Sequence, residues 1–86
     1  MSRFDVNWSD AASDQLADAW IRYPAEAQAI TRAQADIDRI LAQDPLGKGQ
    51  PVAEGLRKLT VPPLTAYYSV DQTARTVQVD ALDYTP

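Results

Sequence analysis

One set of side chains in the second half of the sequence could together bind a phosphate: the cations Lys48, Arg57 and Lys58 and the phenols Tyr67, Tyr68 and Tyr84, with the carboxylate Glu54 beside them. Cations offset phosphate charge, and a phenol can donate a proton or stack on a base. Most of the set lies in "EGLRKLTVPPLTAYYSV", residues 54–70, which reads as two strands meeting at Pro62-Pro63. Neighbours on a strand point to opposite faces, so only one of Arg57 and Lys58 can line a given groove. Tyr67 and Tyr68 divide in the same way. Tyr68 alternates in phase with Leu64, Ala66 and Val70 and is expected in the core, which leaves Tyr67 exposed to meet a partner. Blander roles fit the same residues. Arg57 suits a solvated or salt-bridged strand position, and Tyr84 suits a terminal aromatic packed over a sheet edge.

The elements that must position these residues follow from periodicity. "RFDVNW" alternates, with Phe4, Val6 and Trp8 on one side, and predicts a strand over residues 3–8. Ser9 and Asp10 supply N-cap chemistry for a helix whose stripe is Ala12, Leu16, Ala19, Trp20 and Tyr23. Pro24 interrupts the pattern and can open a second helix. Ile30, Ala33, Ile37, Ile40 and Leu41 form the apolar stripe of that helix, and Arg32 can pair with Asp36 one turn on. It ends near Asp44, because Pro45 disfavours helical geometry in the residue before it and Gly47 and Gly49 follow. The two helices should form an antiparallel hairpin. Residues 47–53 read as loop, and strands are expected at about 55–61, 64–70 and 75–82. Val77, Val79 and Ala81 would share one face of the last strand. The predicted fold class is therefore α+β: a strand, a helical hairpin, then a three-stranded antiparallel meander, with the helices packed on one face of the sheet.

Eighty-six residues make one domain, residues 1–86, since so short a chain buries only about 60–65% of its unfolded surface. Fourteen of its apolar residues are Ala, so large core formers are few and the margin of stability is modest. The sequence has neither Cys nor His, which removes disulfide and thiolate chemistry and the main ligands of transition-metal sites. No metal or cofactor is expected. Asp36 and Asp38, two apart on a helix, do not face each other and make no paired-carboxylate site. With no long apolar run and no charged start before an apolar stretch, the sequence predicts a cytoplasmic domain without membrane association. The net charge of −4 sits in the first half: residues 1–44 carry four basic and eight acidic side chains, and residues 45–86 carry four of each. That distribution lacks the basic face of a general nucleic-acid binder.

"VNWSDAASDQLADAW", "ADIDRILAQDPLGKG" and "EGLRKLTVPPLTAYYSVD" together resemble the RelE/ParE superfamily, the toxins of bacterial type II toxin–antitoxin modules. The likeness covers nearly the whole chain. It rests on a strand ending in Trp-Ser before a helical hairpin, a second helix ending in Asp-Pro with Gly after it, a Gly-Leu-Arg strand and a Tyr-Tyr strand. The resemblance implies a cognate antitoxin that wraps the toxin and covers its active groove. It also implies a ribosome with its mRNA, or a gyrase, as the target.

Ribonucleases of the superfamily use Arg and Lys of the middle strands with a Tyr, His or Arg near the C-terminus. Carried over, this makes Arg57 and Tyr84 the catalytic candidates, and Lys48, Arg57, Lys58 and Tyr67 the partner-binding ones. Where those enzymes carry Arg before the Tyr of the middle strand, this chain has "PPLTAYY", with Leu64 or Thr65 at the cation's place. Tyr84 stands beside Asp83, where active relatives have a basic neighbour. The departures favour a toxin-type protein that acts by binding its target, as ParE-like members do, with weak or no RNA cleavage. The alternatives are a ribosome-dependent mRNA endonuclease of the RelE type and a catalytically decayed interaction scaffold.

Overall fold

The computed structural model describes residues 3–86. Along the chain run β1 (Asp5–Trp8), α1 (Asp10–Arg22), a single 3-10 turn (Pro24–Glu26), α2 (Ala27–Gln43), β2 (Gln50–Ala53), β3 (Leu56–Val61), β4 (Leu64–Asp71) and β5 (Thr76–Tyr84). The strands form one five-stranded sheet in the order β1-β5-β4-β3-β2. Both helices cover one face of it.

The predicted caps hold. Ser9 accepts a hydrogen bond from the Ala12 amide at 3.1 Å and donates its own hydroxyl to the Asp80 carbonyl at 3.0 Å, which ties the start of α1 to β5. Asp44 ends α2, and its carboxylate accepts from the Gly47 amide at 3.0 Å. The α2 stripe is buried as expected at Ile30, Ala33, Ile37 and Leu41, with Ile40 half-buried against the same core. From the sheet, Leu59, Leu64, Ala66, Tyr68, Val77, Val79 and Leu82 complete that core.

Several expectations need correction. Residues 50–53 are a strand, although they were expected as loop. This strand is short, wholly exposed and contains Pro51, so it shows no alternation to read; it forms because Gly55, at φ +76, turns the chain back against β3. The antiparallel meander is present as expected in β3, β4 and β5, and β1 joins it in parallel to β5, pairing Val6 with Val77 and Trp8 with Val79, which makes the sheet mixed. That pairing joins residues some seventy positions apart, which no local pattern encodes. The helices pack on the sheet more than on each other, α1 against β5 and α2 against β1, β3 and β4. On α1 the buried stripe stops at Ala12, Leu16 and Ala19, while Trp20 and Tyr23 are exposed. Asp36 pairs with Arg39 and not with Arg32.

The correction with most consequence lies in β5. Tyr67 pairs with Ala81 but Tyr68 pairs with Val79, so Asp80 is an extra residue that bulges out of the ladder. The bulge reverses the phase of the strand. Val77 and Val79 point to the core before it, and Leu82 and Tyr84 do so after it, whereas Ala81 shares the opposite face with Tyr67.

Candidate functional site: the open face of the sheet

The register assigns each candidate residue to a face. Arg57 pairs with Tyr68, and Lys58 pairs with Tyr67. Directly paired residues share a face. Arg57 therefore stands on the helix side with buried Tyr68, and Lys58 and Tyr67 stand on the face that no helix covers. Gln50 of β2 pairs with Lys58, and Ala81 of β5 pairs with Tyr67, so one row of the open face reads Gln50, Lys58, Tyr67, Ala81. The next row is Thr60, Thr65 and Asp83. Lys58 and Thr60, with Gly49, Gln50 and Leu59, line a cleft of about 390 Å³.

Arg57 is committed to the protein itself. Its Nη2 donates to the carbonyls of Leu46, Lys48 and Gly49 at 3.0, 3.3 and 3.5 Å, and its Nε lies 3.4 Å from the Tyr68 hydroxyl. That hydroxyl donates in turn to the Pro45 carbonyl at 2.6 Å, with the Lys48 carbonyl 3.1 Å away. A guanidinium presents five N–H donors in a fixed fork, and here the fork gathers three carbonyls of one loop. Arg57 and Tyr68 thus clamp residues 45–49. Sequence reasoning placed Tyr68 in the core but missed its hydroxyl as the hub of this clamp; a buried tyrosine beside a proline- and glycine-rich loop was the available signal.

Tyr84 lies elsewhere. Its ring stacks on Tyr23 at the end of α1, with centroids 3.9 Å apart and planes 11° from parallel. Desolvation, then the Glu26 carboxylate and Tyr23, raise its pKa above the ordinary tyrosine value. A raised value makes the phenol a weaker proton donor near neutral pH. On the ladder Tyr84 is level with Leu64 and Val61, four residues from the level of Arg57. That spacing separates Arg57 and Tyr84 by about 13 Å along the strands and about 10 Å across them. The two catalytic candidates do not meet.

Lys48 is exposed in the clamped loop, at the rim beside Gly49. Among the described residues the ion pairs are Arg22–Asp18 and Arg39–Asp36, so neither Lys48 nor Lys58 is held by a carboxylate. Leu64 and Thr65, at the place of the missing cation, are both buried. The Thr65 hydroxyl lies 3.0 Å from that of Thr60 and 2.7 Å from that of Thr85, a chain of neutral groups. The open face thus offers one strand-borne cation, Lys58, beside a half-buried phenol, Tyr67, and several hydroxyls and amides. Such a surface can recognise an acidic or polar segment. It does not surround a phosphate with charge. Among the described residues no cluster of carboxylates suited to a metal ion is present, and no helix is long and apolar enough to cross a membrane.

Comparison with protein-family models and with curated sequences gives no match. Solved structures do match. A chain of the toxin–antitoxin complex RelBE2 from Mycobacterium tuberculosis superposes with a TM-score of 0.80 at 18% identity, covering 98% of this chain and 93% of that one. The chromosomal ParDE TA system of P. aeruginosa gives a TM-score of 0.78 at 22% identity, covering 98% of both chains. TrmO from Pseudomonas aeruginosa is similar at a TM-score of 0.59 and 21% identity, over 96% of this chain but only 36% of its own. At these identities the likeness is one of fold. Two helices on one face of a mixed five-stranded sheet, matched over nearly the full length of both the RelBE2 and the ParDE chain, give this protein the RelE/ParE-like fold.

Proposed function

We propose that this chain is the toxin component of a toxin–antitoxin module, neutralised by an antitoxin segment on the open face of the sheet, and that it acts by binding its target without cutting RNA. The fold supports the first part, since the RelBE2 and ParDE chains that it matches over nearly their full length come from toxin–antitoxin systems. The second part rests on one observation: Arg57 is bonded to its own loop on the helix side while Tyr84 is stacked on Tyr23 at the far end of the sheet. Cleavage of a ribose–phosphate bond needs a base, cations for the crowded phosphate charge and an acid for the leaving oxygen. A single preorganised donor at such a centre is worth about 2–4 kcal/mol, so losing one costs two to three orders of magnitude in rate. The open face has Lys58 alone on its strands.

The expected result is growth arrest on induction of the chain by itself and relief on co-expression of its antitoxin, with transcripts intact on translating ribosomes and a rising DNA-damage response. Rapid ribosome-dependent cleavage by the purified protein, lost in Lys58→Ala, would establish the endonuclease reading instead. Growth unaffected by induction would leave a scaffold.

The antitoxin should present an acidic, amphipathic segment. Its apolar anchors supply most of the affinity, and its carboxylates steer it to Lys58 and Lys48. Lys58→Glu is expected to weaken the complex about ten- to a hundredfold and to flatten its salt dependence. Arg32→Glu on the outer face of α2 should change it less than about twofold. Titration calorimetry at two salt concentrations checks both, and equal losses would place the segment elsewhere. Lys58 is a cleaner probe than Arg57, whose replacement also releases the 45–49 loop.

A further inference from the structure

Helix α1 carries a second surface, remote from the open face of the sheet. Its inward side is filled by Ala12, Leu16 and Ala19. Its outward side should then be polar, yet Ile21 is 78% exposed and Trp20 36% exposed. Ala17, Trp20 and Ile21 stand at i, i+3 and i+4, so they form one apolar ridge. Beside it run Asp10, Asp14 and Asp18 at i, i+4 and i+8, a row of carboxylates that is also exposed. Asp18 is paired with Arg22 at 2.8 Å, and Asp10 and Asp14 have no ion-pair partner among the described residues. An apolar ridge with these two carboxylates running from it toward the start of the helix, and an ion pair of Asp18 and Arg22 beside it, is half of a two-helix interface.

We infer that this face of α1 docks an amphipathic helix of a protein partner whose apolar stripe is flanked by a row of Lys or Arg. Charge decides between occupants. A second copy of the chain would bring its own carboxylate row against this one, because a two-fold interface presents the same patch from both sides. An anionic membrane or a nucleic acid, which an exposed Trp and Ile could otherwise suggest, meets the same repulsion. A basic helix gains from both rows. Thirteen residues of α1 span about 20 Å, which accommodates three to four turns of a partner. The inference is independent of what the open face of the sheet binds.

The test titrates isotope-labelled protein with a synthetic 18-residue helix of leucine and lysine, with the same helix carrying glutamate in place of lysine, and with phosphatidylserine vesicles. Expected are saturable binding of the lysine helix tighter than about 100 μM at low salt, amide shifts centred on residues 10–24, and no binding of the other two probes. Ile21→Asp should weaken that binding at least tenfold with an unchanged thermal melt, since the side chain is exposed, and Asp10→Lys combined with Asp14→Lys should abolish it. No saturable binding, shifts centred on Lys58 and Tyr67, equal binding of the glutamate helix, or vesicle binding would each overturn the inference. So would a concentration-dependent dimer that Ile21→Asp dissolves.

Discussion

Ile37→Asp is expected to leave no cooperative thermal transition at neutral pH. Ile37 is fully buried in the middle of α2, among the stripe that covers the sheet. The substitution removes about 2–3 kcal/mol of apolar burial and places a carboxylate among the apolar side chains of the core. An unpaired buried charge costs several kcal/mol more, unless it is protonated. A domain of this size has a total stability of about 4–13 kcal/mol, and fourteen of its apolar residues are only Ala. The combined loss reaches most or all of that margin. Ile37→Val keeps the face apolar and should cost about 0.5–1.5 kcal/mol with a cooperative melt retained. Burial also holds the introduced carboxyl above the usual carboxylate range, so its folded form is favoured when protonated and is lost as pH rises. Circular dichroism melts at two pH values therefore separate the burial of charge from a change in shape. A cooperative melt of Ile37→Asp at unchanged temperature would mean that α2 does not pack on the sheet as described.

The same chain shows which parts of the fold a sequence exposes. Periods of 3.6 and 2 are local, so the α2 stripe, the Ser9 cap, the Asp44-Pro45 stop and the opposite faces of Arg57 and Lys58 were all readable. Two features were not readable for a physical reason. Pairing of β1 with β5 is chosen by how two helices return the chain across the sheet, and nothing near Val6 or Val77 records it. The bulge at Asp80 changes phase in the middle of a strand whose residues, Thr76 to Tyr84, alternate plausibly either way. Unbroken alternation with Val77 and Val79 inside would turn Tyr84 to the open face, the face that carries Lys58. One extra residue sends it to Tyr23 instead. The candidate site was legible as a set of residue types, but the face that Tyr84 joins depended on that single step in register.

Gly49→Ala is expected to lower the melting temperature far more than Gly55→Ala, although both glycines have positive φ, +74 and +76. Either substitution places an L-residue in the left-handed region, at a cost of about 1–2 kcal/mol. Around Gly55 nothing lies within 4 Å of the added Cβ, so that strain is the whole effect. At Gly49 the Cβ would stand 2.5 Å from the Tyr68 hydroxyl and 2.6 Å from the Lys58 carbonyl. Neither can give way cheaply: the carbonyl belongs to β3, and the hydroxyl is fixed between the Pro45 carbonyl and Arg57. Relief requires moving the loop away and breaking part of the clamp, where each buried polar group left unpaired costs about 1–3 kcal/mol. The total for Gly49→Ala is about 3–4 kcal/mol, or roughly 12–32 °C in a domain of this size, against about 4–16 °C for Gly55→Ala. The displaced loop carries Lys48 and one wall of the cleft beside Lys58, so Gly49→Ala should also weaken antitoxin binding while Gly55→Ala leaves it intact. Thermal melts and calorimetry of the two variants side by side decide it: equal drops in melting temperature would mean that Arg57 and Tyr68 do not hold the loop against β3, and Arg57 would again be free to serve a ligand.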